Sequence, residues 1–375
     1  MSELIDLHAA MVRLPSVNPC GRPPEGPNEG EAHMSRFVHD WLAERGIEAR
    51  LQPVKPGREN VIARVPGREE PPLAFEAHMD TVSVEGMTIP PFEPRISDGR
   101  MYGRGSCDTK ASLAAMMMAL VRVADGDPPP RSIVLVAAVD EEYLHSGARR
   151  YLEESGPLAG AVVGEPTGLR VVVAHKGALR VRAITHGVSA HSSNPEKGVN
   201  AIYRMARVVR ALERFSDELR ERDEHRLVGG PTLSVGTISG GTAVNVVPDR
   251  CECMVDRRLI PGETPDGAYE EIAAVLEEPL QDGDELEATL KDHPVETAID
   301  EPIVQQARRA VHEVTGNDEP VGVAYCTDGC DFAAHGDPLV VLGPGDIAQA
   351  HTADEWIEVR QVELAAEIYE RIMRG

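Results

Sequence analysis

The chain reads as an α/β protein: a mostly parallel sheet covered by helices, interrupted by a ferredoxin-like α+β module. Three observations predict this. Over residues 1–176, short apolar runs alternate with helical stretches, the rhythm of a βαβ chain. Over 177–291 the order changes to βαββαβ. Over 292–375 helix, strand and helix return, so the middle module reads as an insertion into a two-part catalytic domain.

Each element has its own signal. In the first part, "PLAFEAH" (72–78), "SIVLVAAV" (132–139) and "GAVVGEP" (160–166) are short apolar runs bounded by turn residues, which predicts strands. Between them, "KASLAAMMMALVRVA" (110–124) and "SGARRYLEES" (146–155) have helical length and composition. The proline-rich "GRPPEGPNEG" (21–30) and "DGDPPP" (125–130) read as loops, the first a candidate pocket lining. In the module, "ALRVRAITH" (178–186), "PTLSVGTI" (231–238), "VVPDRCECMVDRRL" (246–259) and "DELEATLKD" (284–292) are strands, and "GVNAIYRMARVVRALERF" (198–215) and "TPDGAYEEIAAVLEE" (264–278) are helices. The first of these helices places Ile202, Met205, Val208, Val209, Leu212 and Phe215 on one stripe, read as module core. "PIVQQARRAVHEVTG", "PLVVLG" and "RQVELAAEIYERIMR" close the chain as helix, strand and helix.

Composition excludes several classes of function. Asp and Glu outnumber Lys and Arg by 62 to 38, a formal charge of -24 that repels nucleic acid and anionic membranes. No run approaches the roughly 20 apolar residues of a membrane span, and no basic, apolar leader is visible. Six cysteines, at 20, 107, 251, 253, 326 and 330, are too few for a disulfide framework and suit a reducing cytoplasm. Cys251 and Cys253 alternate in "DRCECMV", two thiols on one strand face rather than a zinc site.

The chemistry gathers where strands end. "LAFEAHMD" delivers His78 and Asp80, "IVLVAAVDEE" delivers Glu141 and Glu142, "AVVGEP" delivers Glu165, and "LVVLGPGDIAQAH" leads to His351. In open α/β sheets, sites form at the carboxyl ends of the strands. Asp108 joins them from the glycine-rich "GRGSCDTKAS", where a helix N-terminus favours a carboxylate. Any one of these has an ordinary explanation as a cap or a satisfied polar group. Together they demand positive charge, because carboxylates gathered without cations are driven toward protonation. Two His, one candidate bridge and two further carboxylates suit two ions about 3.5–4 Å apart better than one.

These residues resemble the co-catalytic metallopeptidases that include acetylornithine deacetylase, succinyl-diaminopimelate desuccinylase, aminoacylase and the glutamate-releasing carboxypeptidases. The likeness covers nearly the whole chain. It rests on "HMDTV" (78–82), "GRGSCDTK" (103–110), "DEE" (140–142), "GEPT" (164–167), "SAHSSNPEKGVNAI" (189–202), "NVVPD" (245–249) and "GPGDIAQAHTADE" (343–355), in the family's order.

The resemblance implies a di-metal aminopeptidase-like fold whose inserted module is a lid and dimerisation domain. It implies that His78, Asp108 and Glu165 hold one ion while Asp108, Glu142 and His351 hold the other. Asp80 would orient His78, Glu141 would be the general base, and Asp140 would either support the turn or be solvated. His191 would stabilise the oxyanion across a homodimer interface, while Asn245 and Arg258 would contact substrate. Arg257 and Arg258 face opposite sides of a strand, so only one reaches a site. Gly343 and Gly345 would let backbone approach the substrate, or simply form a turn. Zinc is the first expectation for the two divalent ions of each subunit, with cobalt and manganese as the others. "AYCTDGCDF" and "GPGDIAQAH" resemble acetylornithine deacetylases, so the expected substrate is a small N-acyl amino acid of the N-acetyl-ornithine or N-acetyl-citrulline type. Thr109, where deacetylases often carry Met, and the Asp328-Gly329 turn keep a desuccinylase open, with a carboxypeptidase or dipeptidase beside it. A catalytically inactive metal-binding homologue is the alternative from another class.

Overall fold

The computed structural model describes residues 2–375. Two compact units divide the chain. The first comprises the residues up to Val173, Thr297–Val321 and Thr327–Gly375; the second comprises Ala174–Glu296 and Gly322–Cys326.

The chain opens with α1 (Glu3–Arg13), α2 (Ala32–Ala43), β1 (Glu48–Lys55), β2 (Arg58–Val65) and β3 (Glu69–His78). It continues through β4 (Arg95–Ser97), β5 (Arg100–Tyr102), α3 (Lys110–Ala124), β6 (Arg131–Ala138), α4 (Ser146–Glu154), β7 (Gly160–Val163) and β8 (Val172–His175). Then follow β9 (Gly177–His186), α5 (Ala201–Arg220), β10 (Thr232–Gly240), β11 (Arg250–Leu259), α6 (Pro265–Leu276), β12 (Glu285–Asp292) and β13 (Val295–Glu296). It ends with α7 (Pro302–Thr315), β14 (Val321–Val323), α8 (Gly329–His335), β15 (Leu339–Val341), β16 (Trp356–Glu358) and α9 (Val359–Arg374).

The main sheet of the first unit has the order β1-β2-β6-β3-β7-β15-β8. Its centre, β6-β3-β7-β15, is parallel, as the βαβ rhythm predicts. Both flanks are antiparallel: β1-β2-β6 on one side and β15-β8 on the other. Only Pro56 and Gly57 separate β1 from β2, too short a link for the crossover that parallel pairing needs. Residues 132–138 of β6 are all buried, because helices and neighbouring strands leave neither face to water. The same position explains α3, which is apolar nearly all round and buried from Lys110 to Leu120. Parallel register sets His78 opposite Ala138 and Val163 opposite both Glu76 and Val341, so the four central strands release their chains at one end.

The second unit is an antiparallel sheet of order β10-β11-β9-β12, the order of a ferredoxin-like βαββαβ module. Leu179, Val181, Met205, Leu212, Phe215 and Val255 are in the core it shares with α5 and α6. Cys251 and Cys253 join this core from one face of β11, and both are free thiols. The α5 stripe is rotated slightly from its predicted position. Ala201, Met205, Val208, Leu212 and Phe215 are buried, Val209 only packs at the edge, and Ile202 is 37% exposed. Among the described residues, no helix is long and apolar enough to cross a membrane.

Candidate metal centre and its support

His78 ends β3 and is buried. Its Nδ1 meets the main-chain carbonyl of Asp80 at 3.0 Å, whereas the Asp80 carboxylate lies 3.7 Å away. The contact that orients the ring therefore runs through the backbone. The Asp80 carboxylate itself accepts from the backbone N–H groups of Glu141 and Glu142, at 3.2 and 3.1 Å, and from Asn18 Nδ2 at 2.7 Å. Asp80 thus ties the end of β6 to the end of β3.

Asp108 precedes α3 in a loop that Glu355 holds from beneath. The Glu355 carboxylate accepts from the backbone N–H groups of Gly105, Cys107 and Asp108 at 2.9, 2.8 and 3.1 Å, and from Arg104 Nη1 at 2.7 Å. Thr109 Oγ1 donates to the carbonyl of Gly164 at 2.6 Å, fixing the loop against the turn that carries Glu165. The outcome is a carboxylate with two faces: Asp108 Oδ1 lies 3.2 Å from His78 Nε2, and Oδ2 lies 3.1 Å from His351 Nε2. Glu165 Oε1 stands 3.7 Å from His78 Nε2 and Glu142 Oε2 stands 3.2 Å from His351 Nε2. The sets His78, Asp108, Glu165 and Asp108, Glu142, His351 each bring one ligand atom per residue within 4.8 Å of the others. Glu141 Oε2 is 3.8 Å from His78 Nε2, and Glu141 also groups with His78 and Glu142.

Electrostatics shows what this cluster attracts. Burial pushes the carboxyls of Glu141 and Glu165 well above the usual range and that of Glu142 upward. Burial acts on Asp108 in the same sense, but His351 and His78 outweigh it and hold its carboxyl low. Asp108 and Glu142 raise His351 to about 10. Burial disfavours charge on His78, yet Asp108, Glu141 and Glu165 raise it well above its ordinary value. Acids that must borrow protons, beside imidazoles forced to keep theirs, mark a cluster short of positive charge. Two divalent ions fit that deficit, and nitrogen with carboxylate oxygen is a donor set for zinc, cobalt or manganese.

Asp140, the first acid of the triplet, is structural. Its buried carboxylate meets Lys55 Nζ at 2.5 Å and Arg58 Nη1 at 2.8 Å, which excludes a solvated role. Burial would raise its pKa, but the Lys55 and Ser146 hydrogen bonds and the Arg58 charge bring it below the ordinary value. Arg58 also holds buried Glu31, at 2.5 and 2.6 Å. Replacing Arg58 with Met removes the ion-pair partner of Glu31 and one of the two cations of Asp140 in a dry site, leaving only neutral donors to Glu31 and to Asp140 Oδ1. We expect this to cost about 3–5 kcal/mol of stability. Thermal melting checks it, and an unchanged Tm contradicts the pairing.

Gly343 and Gly345 are packed closely against their own chain. A Cβ on Gly343 would meet the Glu165 carbonyl at 2.4 Å and Ser112 Oγ at 2.5 Å, and one on Gly345, at φ +93°, would meet Cys107 Sγ at 2.5 Å. Their missing side chains let the chain's own Glu165 and Cys107 segments approach.

The remaining candidates lie in the second unit. His191 and Asn245 come together: His191 bridges to Val246, and the backbone N–H of Ser192 donates to the Asn245 carbonyl at 3.0 Å. His191 Nδ1 accepts from the Ser193 N–H at 3.2 Å, which places the proton on Nε2. Arg258 projects from the β11 face opposite the helices and pairs with Asp256 at 2.8 Å, while buried Arg257 pairs with Glu263 at 2.6 Å.

Sequence reading missed the roles of Asn18, Arg58 and Glu355. Only Glu355 stood inside a quoted motif; no local pattern marks the others.

The chain matches the model of peptidase family M20/M25/M40 over residues 74–375. Solved structures with the same fold include a metallo-carboxypeptidase of the M20 family from Sulfolobus solfataricus, 20% identical, with TM-score 0.82 over 100% of this chain and 99% of that one. They also include the aminopeptidase PepT from Bacillus cereus, 24% identical, with TM-score 0.76 over 99% and 97%. A third is the YXEP protein of Bacillus subtilis, a dinuclear metal-binding peptidase of the M20 family, 17% identical, with TM-score 0.70 over 99% and 96%. With a family match over most of its length and the acid-imidazole cluster at the sheet's carboxyl end, the chain belongs to peptidase family M20/M25/M40 and is a metal-dependent hydrolase of amide bonds.

Proposed function

We propose that the protein hydrolyses the amide bond of an N-acyl amino acid, as an N-acetyl-ornithine or N-acetyl-citrulline type deacetylase using two divalent ions. The observation that carries the reading is the Asp108 carboxylate, one oxygen turned to His78 and the other to His351, with Glu141 beside them. His78, Asp108 and Glu165 would hold one ion, and Asp108, Glu142 and His351 the other.

When bound, such ions bring the pKa of a coordinated water toward neutrality and polarise a carbonyl. Glu141 takes the proton of the attacking water on its carboxylate and returns it to the leaving amine. Asp80 keeps Glu141 in place through the backbone N–H it accepts. His191, with its proton on Nε2, is assigned the donation to the oxyanion, and Asn245 and Arg258 the contacts to substrate. Residues 177–291 then act as lid and dimerisation module in a homodimer, for which exposed Val188, Tyr203, Ile238 and Val244 offer apolar surface. Six cysteines, too few for a disulfide framework, support a cytoplasmic setting.

The acyl preference rests on the "YCT" and "GPGDIAQAH" motifs at 325–327 and 343–351. A second reading, a peptidase acting on short peptides, is supported by neighbours described as a metallo-carboxypeptidase and an aminopeptidase. Amine release from N-acetyl-ornithine, N-acetyl-citrulline, N-succinyl-diaminopimelate and a set of dipeptides separates the readings, using metal-stripped protein resupplied with zinc, cobalt or manganese. Preference for an acetylated substrate supports the deacetylase. Preference for the succinyl compound or a dipeptide replaces it, and silence with both ions bound points to an inactive homologue.

A further inference from the structure

α4 begins soon after Glu142, and the residue that caps it, His145, has a left-handed backbone with φ 55°. Non-glycine residues are uncommon there. The side chain is also buried, at 7% exposure. Its two ring nitrogens face acids on opposite sides. Nε2 lies 3.9 Å from Glu141 Oε1, while Nδ1 lies 3.3 Å from Cys330 Sγ, 3.5 Å from Asp331 Oδ2 and 3.8 Å from Asp328 Oδ1. Asp328 is fully buried and neither of its carboxylate oxygens has a hydrogen-bond partner; Asp331 Oδ2 likewise has none. Asp331 Oδ1 accepts from Arg149 Nε at 2.8 Å, but Asp328 has no such donor, and a buried carboxylate without one is costly unless a cation stands close. The His145 imidazole stands between these two acids and Glu141.

We infer that His145 is a positioning residue for Glu141: held from behind by Asp328 and Asp331, its ring fixes where the Glu141 carboxylate stands beside the metal-ligand cluster. The arrangement of a base oriented by a second group, itself oriented by a third, recurs wherever proton transfer needs a fixed geometry. The inference rests on Glu141 being the general base. A competing use of the same residues is a further cation site, since Glu141, His145 and Asp328 each bring a ligand atom within 4.8 Å of the others. The ring geometry favours the bridge, because its two nitrogens point at different acids whereas one ion takes a single nitrogen.

The test is steady-state kinetics and metal content of His145→Asn in the metal-loaded protein, with Glu141→Gln measured in parallel. Asn tolerates a left-handed backbone, so a merely structural role survives the change. The expected result is a kcat lower by about 10–100-fold, KM within about threefold, and the wild-type number of ions. In the Glu141→Gln background the same change should have no further effect, since the two side chains act as one unit. Asp331→Asn, on the far side of the ring, should show a smaller fall in kcat and serves if His145→Asn does not fold. Wild-type kcat in both single variants, with Glu141→Gln inactive, overturns the inference. Loss of an ion in His145→Asn overturns it in favour of a cation site. An active Glu141→Gln removes the base assignment beneath it, a distinct result.

Discussion

Glu141→Gln is expected to lower kcat by about 10²–10⁴-fold while leaving the number of bound ions unchanged. Gln keeps the shape of the side chain and the backbone N–H that donates to Asp80. It cannot accept a proton from water. The two triads that share Asp108 do not include Glu141, so their ions should stay. Glu141 does group with His78 and Glu142, however, and that fixes the opposite outcome. If Glu141→Gln loses an ion, the residue is a ligand, and the proton acceptor must be sought elsewhere. Elemental analysis beside steady-state rates distinguishes the two.

The second large effect is expected at Asp108. Because its two oxygens face His78 and His351 separately, Asp108→Asn weakens both halves of the cluster at once, whereas a change at Glu165 or Glu142 touches one. Activity should fall by at least about 10²–10³-fold, the loss expected when several kcal/mol of charge stabilisation disappears. Affinity for both ions should fall with it. Loss of only one ion would show that Asp108 does not bridge.

The candidate ligands were legible in the sequence because parallel sheets impose a simple rule. Strands that must be buried on both faces are written as apolar runs, and the first polar residues past their ends mark the functional edge. "IVLVAAVDEE" shows it: seven apolar residues, then three acids whose positive partners the structure supplies. Those partners were not legible. Asp140 pairs with Lys55 and Arg58, more than eighty residues earlier, on a hairpin whose antiparallel pairing the βαβ rhythm does not announce. Asn18 and Glu355 reach their partners across 62 and about 250 residues, so nothing nearby marks them. The close packing around the GPG glycines was illegible for a related reason. A sequence shows that a side chain is missing, but not which atoms occupy its place, and here they are the carbonyl of Glu165 and the thiol of Cys107. Ile202 strayed from the α5 stripe because the helix's buried face is centred on Met205, Val208, Leu212 and Phe215.

Under the proposed function, two ions joined through Asp108 make this cluster a hydrolytic centre. Its most direct test is a zinc titration of the metal-stripped protein, following heat release and amine release from its best substrate together, with Asp108→Asn alongside. The wild type is expected to bind two equivalents, with activity rising as the sites fill, and the variant to bind both more weakly. Full activity without added metal, or saturation at one equivalent unaffected by Asp108→Asn, would contradict it.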